Sequence, residues 1–211
     1  MNRTLTLALT TVLASAAFAG DEFKFSGWLD TYYQHDFNKS ALGTNLAGRQ
    51  FDPRAGTFEL ASAQVNFKWT RSEAFSLVAE LALGRTPGIS SAYDAANGNS
   101  NQIFQQLYAS FTQKNGATLD IGKFNTWVGY ESVYVVDNAN YSLATLTNFA
   151  QPTWHVGARY SKPVSETSSF SLYLVNGWNE TNDTNSSKTY GATFSKAVGE
   201  DKNLTFNYIG G

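Results

Sequence analysis

Between Ala61 and Leu83 the chain alternates apolar and polar residues with a period of two, and it does so twice. Ala61, Ala63, Val65, Phe67 and Trp69 share one side, against Ser62, Gln64, Asn66, Lys68 and Thr70. After Arg71-Ser72-Glu73 the rhythm returns, with Phe75, Leu77, Ala79, Leu81 and Leu83 opposite Ser76, Val78, Glu80 and Ala82. Period two is the period of a β-strand, and a short polar joint between two such runs predicts an antiparallel hairpin. Each run has about ten residues, the length with which a tilted strand crosses a bilayer. One side is apolar throughout while the other carries Lys68 and Glu80. A membrane β-barrel strand needs this division, with lipid on one side and a polar lumen on the other.

The same reading extends along the chain. Strands are predicted over Phe23–Phe37, Gln102–Thr112, Ala117–Phe124, Thr153–Ser161, Ser168–Trp178, Lys188–Ala197 and Asn203–Ile209, about nine in all with the central hairpin. Lys114-Asn115-Gly116 is a tight turn, Asn-Gly being a strong hairpin signal. Short connections alternate with long ones, the polar stretches Asn38–Gly56, Arg85–Asn101 and Asn179–Ser187 and the longer, more apolar Asn125–Gln151. Short turns at one end and long loops at the other describe the periplasmic and extracellular ends of an outer-membrane barrel. The expected fold is therefore all-β, an antiparallel transmembrane β-barrel of the outer-membrane porin type. Single-chain bacterial barrels have an even number of strands, so about nine predicts an incomplete barrel in this chain, truncated at the C-terminal side.

The N-terminus reads as a secretory signal over residues 1–19: Arg3 is basic, Leu5–Phe18 is apolar, and Ala17-Phe18-Ala19 has a small-x-small cleavage pattern. Residues 20–211 then form the barrel domain, exported through the periplasm of a Gram-negative bacterium to its outer membrane. The chain has no cysteine, which removes disulfides and thiolate metal sites. A net charge of −2 gives no basic field for nucleic acid.

Asp30, Lys68, Glu80, Asp120 and Arg159 fall on polar strand faces and are candidates to line the lumen, where charge tunes ion preference. His155 faces the same way as Arg159. Only two histidines occur, His35 and His155, and neither has a nucleophile or paired carboxylates arranged for hydrolysis. The segment NETNDTN at Asn179–Asn185 lacks the order of a calcium loop. No catalytic, cofactor or metal site is read, and the chain is expected not to be an enzyme. Asn125–Gln151 is long and rich in residues that want burial, among them Trp127, Tyr130, Tyr134, Val135 and Leu143. It either folds back into the barrel mouth or packs among the other loops. In the first case Glu131 and Asp137 would stand at the constriction, with Lys123 and Arg159 facing them across the lumen, and the channel would mildly prefer cations.

Three pieces of this region carry a resemblance to a known family. They are Gly129-Tyr130-Glu131, then Asn138-Ala139-Asn140-Tyr141-Ser142, then Pro152-Thr153-Trp154-His155-Val156-Gly157. In this order they resemble the outer-membrane β-barrel porin family 2, the OmpL-like porins, in its N-terminal part. The resemblance implies a passive outer-membrane pore for ions and small hydrophilic solutes, without cofactor. The expected partners are outer-membrane lipids and lipopolysaccharide, the barrel-assembly machinery and the permeating solutes, with homo-oligomerisation left open. The alternative is a structural or adhesive barrel with binding loops and a closed lumen.

Overall fold

The computed structural model describes residues 21–37, 46, 48–92 and 103–211. The signal sequence read over residues 1–19 lies outside the described residues, as do parts of the first two long loops. Nine strands form one antiparallel sheet in strict chain order: β1 (Glu22–Tyr33), β2 (Phe58–Ser72), β3 (Phe75–Leu83), β4 (Phe104–Thr112), β5 (Thr118–Asn125), β6 (Trp154–Ser165), β7 (Ser168–Val175), β8 (Thr189–Ala197) and β9 (Asn203–Gly210). Every strand pairs only with its chain neighbours, so β1 and β9 are the edges of a sheet that is not closed. Six-residue helices α1 (Arg85–Ser90) and α2 (Thr145–Ala150) lie in the loops.

Alternation builds the sheet as the sequence implies. Val65 pairs with Leu81, Ala109 with Leu77 and Ile121, and Leu172 with Tyr160 and Ala192, so apolar residues meet apolar residues from strand to strand. Leu77, Leu107, Ile121, Leu172 and Leu174 are all exposed on that face. The opposite face pairs Asn66 with Glu80, Ser110 with Asp120, and Ser161 with Ser171. Near the short turns the apolar face carries an aromatic band: Phe67 against Phe23 and Phe25, Phe75 against Trp69 and Phe111, and Tyr160 against Phe170. Amphipathic rings collect at a membrane interface in this way.

The turn at Lys114–Gly116 closes as expected. Gly116 stands at φ 79, a left-handed conformation that glycine adopts without a Cβ clash, and its N–H reaches the Gln113 carbonyl at 2.9 Å. Asn115 Oδ1 accepts the Ala117 N–H at 3.0 Å. Four register shifts occur, at Asp30/Thr31, Glu80/Leu81, Thr70/Ser72 and Pro163/Ser165. The first two leave Ala61 and Gln105 as extra residues and sit where the polar face meets the long β5–β6 connection. Bulges re-aim side chains at such places. Some strand ends differ from the sequence reading. β6 continues to Ser165, past the turn expected from Lys162, and β7 stops at Val175 rather than Trp178.

Candidate functional site

The connection between β5 and β6 turns back onto the polar face of the sheet. Tyr134 packs edge-on against Trp28 of β1, with ring centroids 6.2 Å apart. Its hydroxyl donates to the Glu80 carboxylate of β3 and accepts from Asn125 Nδ2 at 2.6 Å and Gln106 Nε2 at 3.2 Å. Tyr141 leans on Tyr32 at 5.6 Å, and its hydroxyl reaches both Asp30 carboxylate oxygens at 3.0 and 3.1 Å. Ser142 donates to Asp52 at 2.7 Å, and Arg49 contacts both residues. On the other flank Trp127 stacks on Tyr173 of β7 at 3.8 Å, lies against His155 of β6 at 4.3 Å, and donates its indole N–H to the Tyr208 carbonyl of β9 at 3.0 Å. One connection that touches β1, β3, β4, β6, β7 and β9 on a single face must lie inside the curve of the sheet. The polar face is therefore the interior, and the apolar face looks outward.

The loop's own fold explains the residues of the sequence motif. Gly129 has φ 95, and a Cβ there would stand 1.9 Å from Gln151 Oε1. Gln151 Nε2 donates to the Glu131 carbonyl at 2.8 Å. The Glu131 carboxylate accepts from the Ala144 N–H at 2.8 Å and from the Thr147 hydroxyl, fixing the start of α2. Asn138 bonds Ser132 twice, through its amide oxygen at 2.8 Å and its amide nitrogen at 2.9 Å. These side chains clip the loop's two limbs together, so that Val135 and Leu143 are buried.

The candidate residues separate into two groups. Asp30, Lys68, Glu80, Asp120, His155 and Arg159 lie on the interior face by register. Arg159 binds Asp120 through Nε at 2.9 Å and Nη2 at 2.7 Å, and its guanidinium sits over Phe124 at 4.9 Å. His155 is fully buried against Trp127, with Nδ1 2.8 Å from the Gly177 carbonyl. Lys123, Glu131 and Asp137 do not join them. Strict alternation along β5 puts Lys123 in the row of Ile121, between Leu107 and Val156, on the outward face. Its ammonium rests 3.9 Å from the Trp154 ring, so it does not face the lumen as expected. Glu131 is engaged inside the loop, and Asp137 is exposed on a 3-10 turn over Val135–Asp137.

Burial, and then the neighbouring Glu80 carboxylate, raise the Tyr134 phenol above its ordinary 10.0. Burial and Asp30 do the same for Tyr141. A phenol whose value is higher folded than unfolded contributes stability that is complete below about pH 10 and is lost as pH rises further. Both phenols therefore stay protonated, and able to donate, at neutral and acid pH.

Gly191 of β8 provides the floor under Trp127. A Cβ there would stand 2.0 Å from Trp127 Cζ2. Gly191→Ala should push the indole off Tyr173 and shift tryptophan emission to the red. The same substitution in a Trp127→Phe background should leave the spectrum unmoved.

An antiparallel sheet with an apolar, aromatic-banded exterior, a polar interior, and turns and loops segregated to opposite ends defines an outer-membrane β-barrel of the porin type. The chain belongs to the family described as "Putative beta-barrel porin-2, OmpL-like", whose model matches residues 22–211. No curated protein and no solved structure matches the chain. Membership implies a porin role in the outer membrane of a Gram-negative bacterium.

Proposed function

We propose that the protein forms a water-filled diffusion channel for ions and small hydrophilic solutes, narrowed by the β5–β6 loop and mildly preferring cations. The observation that carries this reading is the pairing of Asp30 and Glu80. The partners seen for both carboxylates are neutral, Tyr141 for Asp30, and Tyr134 and Gln64 for Glu80. Asp120 by contrast is balanced by Arg159, Asp52 by Arg49, and Glu59 by Arg54. Two carboxylates without an ion-pair partner among the described residues, beside a narrowing, raise the local cation concentration, because low-dielectric walls focus their field. Glu131 and Asp137 were the residues expected to set this preference. Asp30 and Glu80 fit better, since Glu131 serves the loop's own hydrogen bonds.

A barrel of this kind is exported to the periplasm, inserted by the barrel-assembly machinery and surrounded by outer-membrane lipids and lipopolysaccharide. Closure in lipid requires the edges of β1 and β9 to be paired, since unpaired backbone groups are not viable there. The same inward loop would also suit a structural barrel with a closed lumen, and conductance separates the two. The reversal potential of the full-length protein in a potassium chloride gradient should be cation-directed. It should fall towards zero in Asp30→Asn with Glu80→Gln, which keeps acceptors for the tyrosines while removing both charges. An unchanged potential in the double variant would take these carboxylates out of the permeation path.

A further inference from the structure

The interior face is chemically divided. Over β1–β5 it carries the carboxylates and the tyrosine anchors of the loop, whereas over β6–β9, on the short-turn side of the Trp127 contact with His155, Tyr173 and Gly191, it is a wall of hydroxyl and amide groups. The register aligns Ser161, Ser171, Thr193 and Asn207 in one unbroken row across four strands. Within it the Ser161 and Ser171 hydroxyls are 2.8 Å apart, and Thr193 donates to Asn207 Oδ1 at 3.0 Å. One step closer to the short turns, the Ser195 and Thr205 hydroxyls lie 3.2 Å apart. Between the turns Arg159 is the one charged side chain of this wall among the described residues, and Asp120 neutralises it. At the short-turn end the wall leads into a cleft of about 560 Å³ lined by Ser169, Ser195 and Asn203, with Glu166, Glu200, Asp201 and Lys202 on the turns around it.

Each hydroxyl is both donor and acceptor and rotates to suit its partner. Neighbouring strands repeat such groups at about 4.8 Å. An ion gains little here, because a neutral hydroxyl surface replaces its hydration no better than water does. A solute that presents many hydroxyls and no charge exchanges wall–wall and solute–water bonds for wall–solute bonds without desolvating a charge. From this geometry we infer that the interior of β6–β9 is a binding track for neutral polyhydroxylated solutes, of the saccharide or polyol class. The inference rests on the channel reading and adds its preferred cargo. The field of Asp30 and Glu80 biases small ions at a distance, and the hydroxyl wall acts on larger solutes by contact.

The test is made on the full-length protein in planar bilayers, with raffinose added to a potassium chloride bath. Raffinose should interrupt the potassium current in a saturating, concentration-dependent way. Ser171→Ala with Thr193→Val should weaken that block roughly tenfold, as the loss of two hydrogen-bonding groups implies. Ion conductance should be unchanged in the same variant, which shows that it has folded, and Leu172→Ala on the outward face should block as wild type does. Where the double variant does not insert, Ser161→Ala measured in the same way should show a smaller weakening. A fall in current that never saturates, or a block equal in wild type and variant, overturns the binding track and leaves the channel standing. A wild-type protein that carries no current overturns both.

Discussion

Leu174→Arg should destabilise the barrel by about 2–4 kcal/mol, the cost of a cation on the lipid face near the bilayer midplane. Leu174 is exposed on the outward face, paired with Ala158 and Tyr190. It lies four residues beyond Phe170 of the aromatic band, measured along β7. At about 3.4 Å per residue and a tilt near 45° that is roughly 10 Å of depth, close to the middle of an apolar band about 25 Å tall. Thr205→Arg, on the exposed interior side of β9, should cost little because its side chain reaches water. Leu77→Arg should fall between them, since Leu77 is only two residues from Phe75 in the band. Urea titration of the protein refolded into bilayers measures all three. Equal losses at Leu174 and Thr205 would contradict the assignment of the inward and outward faces, and a reversed order would mean that they have been exchanged.

The second large effect belongs to the loop anchors. Tyr134→Phe with Tyr141→Phe removes the hydroxyl that meets Glu80 and the one that meets Asp30, and Asp30 is only 2% exposed. A buried acceptor that loses its donor costs about 1–3 kcal/mol, more when it is charged. Each single variant should loosen its limb of the loop, and the double variant should release both from β1 and β3 while Trp127 still holds β7 and β9. Single-channel conductance should then rise and become noisy. A steady, wild-type conductance in the double variant would mean that the loop stays in place on its apolar contacts alone.

Much of this architecture can be read from the residues because alternation is a local signal. Ala61–Leu83 shows two faces without any knowledge of its partners, and the Asn-Gly turn is set by its own backbone. Trp28 and Tyr32 look like errors in the polar face of β1. They are the platforms on which Tyr134 and Tyr141 rest, so the breaks in the pattern marked where the loop would dock. The path of the loop itself was not legible. Its composition called for burial, but which carboxylates its tyrosines would meet depends on strands more than fifty residues away. Lys123 departs from expectation for a different reason. Its charge points to the lumen, whereas Leu119 and Ile121 put every odd residue of β5 on the outward face. The Asp120–Arg159 pair follows from β5–β6 register, which single-strand patterns do not supply.

The β5–β6 loop also has a mechanical meaning. Its tyrosines grip the early strands, and Trp127 grips β7 and β9, so it spans the concavity like a tie-rod between opposite walls. A meander of neighbour-only pairings is otherwise held by little more than the bond from the Trp154 indole of β6 to the Ser90 carbonyl of α1, and without such links a nine-strand ribbon is free to open or flatten. The tie fixes the curvature at one value. It can be completed only after β9 is in place, because the carbonyl that receives the Trp127 indole belongs to Tyr208. The bore would thus be set once β9 has joined the sheet, and not by the earlier strands alone.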